Sequence, residues 1–319
     1  MIRRVWFVTA WLSLMAGFAI TAFAWHEKEH HAITAMSARL LAPAPAPGSA
    51  GPASEKPPDW FVAGIVDDAA QDSLDPDNFK NRAMPQLDST EPPEHYLDYE
   101  PLEALGVLPP GVMPRFRYDY HKLCYEHRLD PQKIGVLPWA VAEWQQRLAL
   151  AFAEHRKWPN NAAIRRKCLV YAGLMSHYAG DLCMPLHTTM HHDGRVKTHN
   201  DPSPRTGIHA KVDGLFRTFD YDPRKVLDGA RAEVYDDVWA AIWKEFDRSH
   251  ALVDRVYELA DKLPPRNGRA DDPDVIAFGT ERMKAGATFI ASLYRTAWVK
   301  SADVKLPNWL DREALTLPH

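Results

Sequence analysis

From Pro138 onward, apolar residues recur at intervals of three and four. Val141, Trp144, Leu148, Ala151 and Phe152 mark one face of a helix. Asn160 and Asn161 can cap the next helix, in which Ile164, Cys168, Tyr171, Met175 and Tyr178 repeat the spacing. Further helical stretches are expected over 206–217, 229–262 and 273–299, the last carrying Val275, Phe278, Met283, Ala287, Ile290 and Tyr294. Near the start, Ile33, Met36 and Leu40 predict a short helix over residues 30–41. Alternating strand patterns are scarce and there is no internal repeat. The expected fold is therefore all-α, a single domain of packed helices with long loops. Residues 71–117 are rich in Asp and Pro and read as loop with short turns. Residues 42–58 (APAPAPGSAGPASEKPP) have the composition of a surface loop insertion.

The first residues follow a different pattern. Arg3 and Arg4 precede an uncharged run, Val5 to Ala24, that ends Ala22-Phe23-Ala24. This is the layout of a signal peptide over 1–24, cut after Ala24 to leave residues 25–319. An uncleaved anchor is the alternative, since about 20 apolar residues can span a bilayer. Cleavage implies a secreted or periplasmic protein with no remaining transmembrane anchor.

Composition narrows the chemistry. Of 319 residues, 46% are hydrophobic and 25% charged, which excludes wholesale disorder. Lys plus Arg number 38 against 42 acidic residues, a net charge of −4, and loss of Arg3 and Arg4 makes it −6. A protein held to nucleic acid by bulk positive charge is excluded. Cys124, Cys168 and Cys183 form no C-x-x-C, so a thiolate zinc site is not expected. The 15 histidines direct attention to metal spacing.

The densest chemistry is His177-Tyr-Ala-Gly-Asp181-Leu-Cys-Met-Pro-Leu-His187. His177 and Asp181 lie four apart and project from one helical face, within reach of a common ion. Pro185 should end that helix and let His187 turn back. The same spacing recurs in His209-Ala-Lys-Val-Asp213. Upstream lie His95-Tyr-Leu-Asp98, the acidic pair Asp67-Asp68, and the segment Trp25-His-Glu-Lys-Glu-His30. A lone HxxxD is a surface ion pair more often than a metal site; two of them with a histidine between is a rarer pattern.

Taken in order, Trp25, His30, Asp67 or Asp68, His95, His177, Asp181, His187, His209 and Asp213 resemble the trinuclear-zinc superfamily that joins bacterial phospholipase C to secreted single-strand nucleases of fungi and plants. The resemblance implies three zinc ions. Asp68, His95, His177 and Asp181 would hold the first, with Asp68 preferred over Asp67. His187, His209 and Asp213 would hold the second, and Trp25, His30 and bridging Asp181 the third. In that family the α-amine and carbonyl of the mature N-terminal Trp chelate zinc, and the expected cleavage falls immediately before Trp25. The cluster would lie at the bottom of a cleft, and a metal-activated water, oriented or deprotonated by Asp68, would attack phosphorus.

The implied activity is hydrolysis of phosphodiester bonds in single-stranded nucleic acid or phospholipid. The short gap from Trp25 to His30, the Pro-Leu-His187 after Asp181, and Asp at 213 favour the nuclease branch. The segment Gly207-Ile-His-Ala-Lys-Val-Asp213 resembles the phospholipase C version, and the Gly-Gly-Asn of the nucleases is replaced by TTMHHDGRVKTHN. An exported helical protein with purely structural zinc is the reading from another class. His191 and His192 are expected as loop residues and Cys183 as a buried small hydrophobe. Trp139, Trp144, Trp239 and Trp243 are expected in the core. Arg195, Lys197, Arg205 and Lys211 read equally as phosphate grips or solvated charge.

Overall fold

The computed structural model describes residues 27–42, 56–106, 113–265 and 267–313. The Trp25 position, the signal segment and most of the Ala/Pro-rich stretch lie outside them. The chain is all-α, as its periodicity requires. In order the helices are α1 (Glu27–Leu41), α2 (Asp59–Gly64), a π-turn (Ile65–Ala69), α3 (Ala70–Asp72), α4 (Asp75–Phe79), α5 (Pro85–Thr90), α6 (Tyr99–Glu103), α7 (Arg117–Glu126) and α8 (Pro131–Ile134). They continue as α9 (Leu137–Lys157), α10 (Ala162–Leu182), α11 (Ile208–Asp213), α12 (Pro223–Val226), α13 (Val238–His250), α14 (Val253–Glu258) and α15 (Pro273–Lys300). The single extended pairing among the described residues is an antiparallel bridge, Leu97 to Gly135.

The longest helices make the frame. α9 and α10 run antiparallel across the short turn after Lys157, and α15 packs on both α1 and α9. Asn161 caps α10 by accepting the Ile164 N–H at 3.2 Å. Asp272 does the same for α15, accepting from Asp274 and Val275. The apolar faces meet in an edge-to-face cluster. Phe61 lies 4.7 Å from Phe152 and 5.5 Å from Tyr294, and the Tyr294 hydroxyl donates to the Ala172 carbonyl at 2.9 Å. Trp139, Trp239 and Trp243 form a second aromatic group inside, whereas Trp144 is half-buried under Arg147.

Two expectations need correction. The Asp/Pro-rich stretch is not a plain loop but carries α4, α5 and α6 and a 3-10 turn, Pro92–His95. Proline opens or follows the first position of several of these, where its missing N–H costs nothing. The expected helix over 229–262 starts only at Val238, where Asp237 caps α13 by accepting from the N–H groups of Trp239 and Ala240, and it is interrupted after His250 before α14 begins at Val253. None of the described helices is long and apolar enough to cross a membrane.

Candidate metal centre

α10 is the spine of the site. Its face at Gly173, His177 and Gly180 must admit two other segments at close range. A Cβ at Gly173 would lie 2.6 Å from the Ala69 carbonyl oxygen and 2.6 Å from Asp72 Cβ; one at Gly180 would lie 2.8 Å from Ile33 Cδ1. The absence of side chains there lets the π-turn segment and α1 reach His177 from either side. The Ser73 carbonyl then accepts from His177 Nδ1 at 2.7 Å, which aims Nε2 at the neighbouring donors. From α1, His30 stacks on His177 with ring centroids 3.8 Å apart.

His95 and His187 are placed together by two bonds between their segments, one from the backbone and one from the His187 ring. Leu97 N–H donates to the His187 carbonyl at 2.9 Å, and His187 Nδ1 donates to the His95 carbonyl at 2.6 Å. Pro185 ends α10 and starts the turn that brings His187 back, as its position predicts. On α11, His209 Nε2 lies 2.9 Å from Asp213 Oδ2.

The result is three sets of metal-ligating atoms: His30 with His177 and Asp181; Asp77 with His95 and His177; and His187 with His209 and Asp213. Asp181 joins them. Its Oδ2 lies 2.9 Å from His95 Nδ1 and 3.4 Å from His177 Nε2, and its Oδ1 lies 3.3 Å from His30 Nε2 and 3.7 Å from His187 Nδ1. His95 Nδ1 and His177 Nε2 are 3.0 Å apart, and Asp77 Oδ1 is 4.0 and 3.8 Å from them. These separations bracket the edge of about 3.3 Å that a tetrahedron of N and O donors around zinc requires. Seven of these side chains, at 0–7% exposure, are almost wholly shut from solvent. Polar atoms of His187, His209, Asp181 and Asp213 are buried there without a hydrogen-bond partner. A buried orphan carboxylate is costly unless a cation answers it. The donor set therefore fits metal ions.

Electrostatics agree. Burial would raise the Asp181 carboxyl, but His187 and His177 outweigh it and hold it well below the usual range. Burial is likewise outweighed at Asp77, which His177, Lys80 and His95 bring down to about 2. Burial and then His177 lower His30 to about 4. At His187 burial is overcome by Asp181 and Asp213, which push the imidazole up to about 9. That ring must shed its proton to bind metal, so acid competes with loading.

Eight of the nine sequence-named ligands are in described residues, and seven meet in these sets. Asp68 does not. It is exposed on the π-turn with Asp67, off the inward stripe of Phe61, Ile65, Ala69 and Ser73. Asp77 stands beside His95 and His177 instead. The sequence did not mark Asp77, which carries no ligand spacing and stands after Pro76 at the start of a five-residue helix. Lys80 was also unmarked; it forms an ion pair with Asp77 and is 14% exposed. Arg195 is committed to Asp254 and lies over the Tyr257 ring. His192 reaches the edge of the His209 ring at 5.9 Å. All three cysteines are free and buried. Two surface recesses, one along α7 at Tyr118, Lys122 and Tyr125 and one between Arg115 and α13, are lined by none of the metal-ligating side chains. Compared with known protein families, curated proteins and solved structures, the chain has no match.

Proposed function

We propose that the chain is an exported zinc-dependent phosphoesterase that cleaves phosphodiester bonds, with single-stranded nucleic acid as substrate. The observation that carries the reading is the sharing of His177 between two sets of donors, with Asp181 2.9 Å from His95 and 3.7 Å from His187, and His187, His209 and Asp213 adjoining. Imidazole and carboxylate without thiolate is the donor chemistry of hydrolytic zinc. Asp77, His95, His177 and Asp181 would hold one ion, His187, His209 and Asp213 a second, and His30 and Asp181 a third, completed by the Trp25 amine once residues 1–24 are removed. Bound zinc supplies Lewis acidity and a water acidic enough to act as nucleophile near pH 7.

The chain's own groups divide the remaining work. Ser73 and the His95 carbonyl hold His177 and His187 with Nε2 forward. Asp77, with its low pKa, remains a carboxylate across the working range. Lys80 is a cation beside Asp77, suited to a phosphoryl oxygen. With Asp181 joining Asp77, His95 and His177, four donors would close the first position, while His187, His209 and Asp213 would leave the second a place for water or substrate, the arrangement of a catalytic rather than a purely structural ion.

The test is direct. The protein beginning at Trp25 is purified, its zinc counted, and single-stranded DNA, RNA and phosphatidylcholine assayed in parallel. Two or more zinc ions with cleavage of the nucleic acids supports the proposal. Cleavage of phosphatidylcholine alone selects phospholipase C, the reading favoured by Gly207-Ile-His-Ala-Lys-Val-Asp213. Fewer than two zinc ions and no ester cleaved removes the enzyme.

A further inference from the structure

The imidazoles of the centre are not oriented alike. His177 and His187 each turn Nδ1 to a backbone carbonyl and leave Nε2 for the metal position. His95 is reversed. Its Nδ1 faces the centre, 2.9 Å from Asp181 Oδ2 and 3.0 Å from His177 Nε2. Its Nε2 points away, and 3.3 Å behind it stands Glu91 Oε1, from the residue one helical turn earlier. The Tyr178 hydroxyl donates to that same carboxylate oxygen. Tyr178 follows the ligand His177 on α10, and its ring meets the edges of both His95 and His177 at about 5.5 Å. The Glu91 side chain is 12% exposed, so its charge is little screened.

Resting on the metal reading above, we infer that Glu91 and Tyr178 are positioning residues that fix the reversed tautomer of His95 and strengthen it as a metal ligand. With a metal ion held at Nδ1 beside Asp181, Nε2 is the nitrogen left to carry the proton, and the carboxylate 3.3 Å from it is the group that favours this tautomer. Glu91 therefore keeps hydrogen on Nε2 and the lone pair on Nδ1, the nitrogen turned to Asp77, His177 and Asp181. Negative charge behind the ring also raises the electron density at Nδ1. The backbone carbonyls behind His177 and His187 set orientation in the same way but add no formal charge. His95 is thus the ligand whose donor strength is set by a side chain, and it can be tuned by substitution without touching the ring. Tyr178 holds the carboxylate in place and links its position to the turn of α10 that bears His177.

The inference is tested on the full mature chain with Glu91→Gln, Glu91→Asp and Tyr178→Phe, by zinc titration against a competing chelator. Glu91→Gln should weaken one zinc position by 10- to 100-fold, the range for loss of a partner behind a ligand. Glu91→Asp should recover part of that loss, and Tyr178→Phe should weaken the same position by less. The position at His187, His209 and Asp213 has no contact with Glu91 and should keep its affinity, which makes it an internal reference. Nitrogen-15 spectra of the zinc-loaded protein give a second reading. One ligand histidine should coordinate through Nδ1 with a protonated Nε2, while His177 and His187 coordinate through Nε2. Glu91→Gln that lowers only the melting temperature of the metal-free protein, with zinc affinities unchanged, overturns the inference, as does Nε2 coordination by His95. A wild-type chain that takes up no zinc overturns the metal reading itself.

Discussion

Gly173→Ala tests whether close approach of backbones builds the centre. The new methyl would sit 2.6 Å from the Ala69 carbonyl and from Asp72 Cβ, and 2.9 Å from the Asp72 carbonyl carbon. Relief to 3.4 Å, where ordinary contact begins, requires a shift of 3.4 − 2.6 = 0.8 Å. The obstacle is backbone, so no side chain can swing aside. The segment that must move carries Ser73, whose carbonyl receives the His177 Nδ1 hydrogen bond of 2.7 Å. Overpacking costs about 1–3 kcal/mol, and replacing a mid-helix glycine by alanine returns about 1 kcal/mol. The net loss of stability is therefore between about 0 and 2 kcal/mol, which a folded protein survives. Metal binding should suffer more clearly. Losing the partner that orients His177 should weaken zinc at the positions His177 serves by 10- to 100-fold, or about 1.4–2.7 kcal/mol. Urea unfolding of the metal-free protein measures the first quantity and chelator competition the second. Gly286→Ala is the control, because the one tight contact of its methyl is with the flexible end of Ile33 at 3.3 Å, the rest of that side chain being 3.8 Å away; it should leave zinc affinity unchanged. A folded Gly173→Ala protein that binds zinc as tightly as wild type would refute the reasoning.

Other outcomes follow from the same geometry. Asp77→Asn should lower zinc affinity at the first position by at least tenfold, while Asp68→Asn on the exposed π-turn should change neither zinc content nor stability beyond about 0.5 kcal/mol; the reverse ranking would restore Asp68 as the ligand. Burial would raise the Glu154 carboxyl, but Lys167 and Arg312 outweigh it and hold it below its ordinary value of 4.5. Its stabilisation is complete above that value and disappears as pH falls through the lower folded value. Urea midpoints measured from pH 6 to pH 3 should therefore fall more steeply for wild type than for Glu154→Gln, and parallel slopes would contradict the ion pairs. The buried Cys124, Cys168 and Cys183 should react with a thiol reagent only after denaturation, releasing three equivalents; rapid labelling of the native protein would contradict their burial.

The helical frame was legible because burial imposes a period. Residues of α9, α10 and α15 face one core for five or more turns, and each apolar position adds to the signal. The candidate ligands on α10 and α11 were legible for a related reason: a four-residue spacing puts His and Asp on one face whatever surrounds the helix. Asp77 was not legible because its place depends on tertiary contacts. It is carried on a helix of five residues, too short to show a period, and reaches His95 and His177 only through the packing of that helix and the π-turn on α10. Asp68 looked equivalent in sequence, but the stripe of Phe61, Ile65, Ala69 and Ser73 turns it to solvent. The break between α13 and α14 escaped notice because apolar spacing continues across it.

The glycines of α10 join these levels. By helix propensity alone, Gly173 and Gly180 weaken the helix that bears the central ligands, at about 1 kcal/mol each relative to alanine. A sequence selected only for a stable α10 would hold alanine at both. Each glycine instead stands where another segment delivers a group to the centre: the Ser73 carbonyl beside Gly173, and His30 beside Gly180, where a Cβ would be 3.2 Å from His30 Nδ1. His177 lies between them on the same face. The local cost and the assembled donor set thus have one cause, the need to bring α1 and the π-turn segment within hydrogen-bonding and stacking distance of a single imidazole. That coupling also explains why His177 and Asp181 sit on α10. A helix approached from both sides can offer His177 to two sets of donors at once and set Asp181 beside His30, His95 and His187.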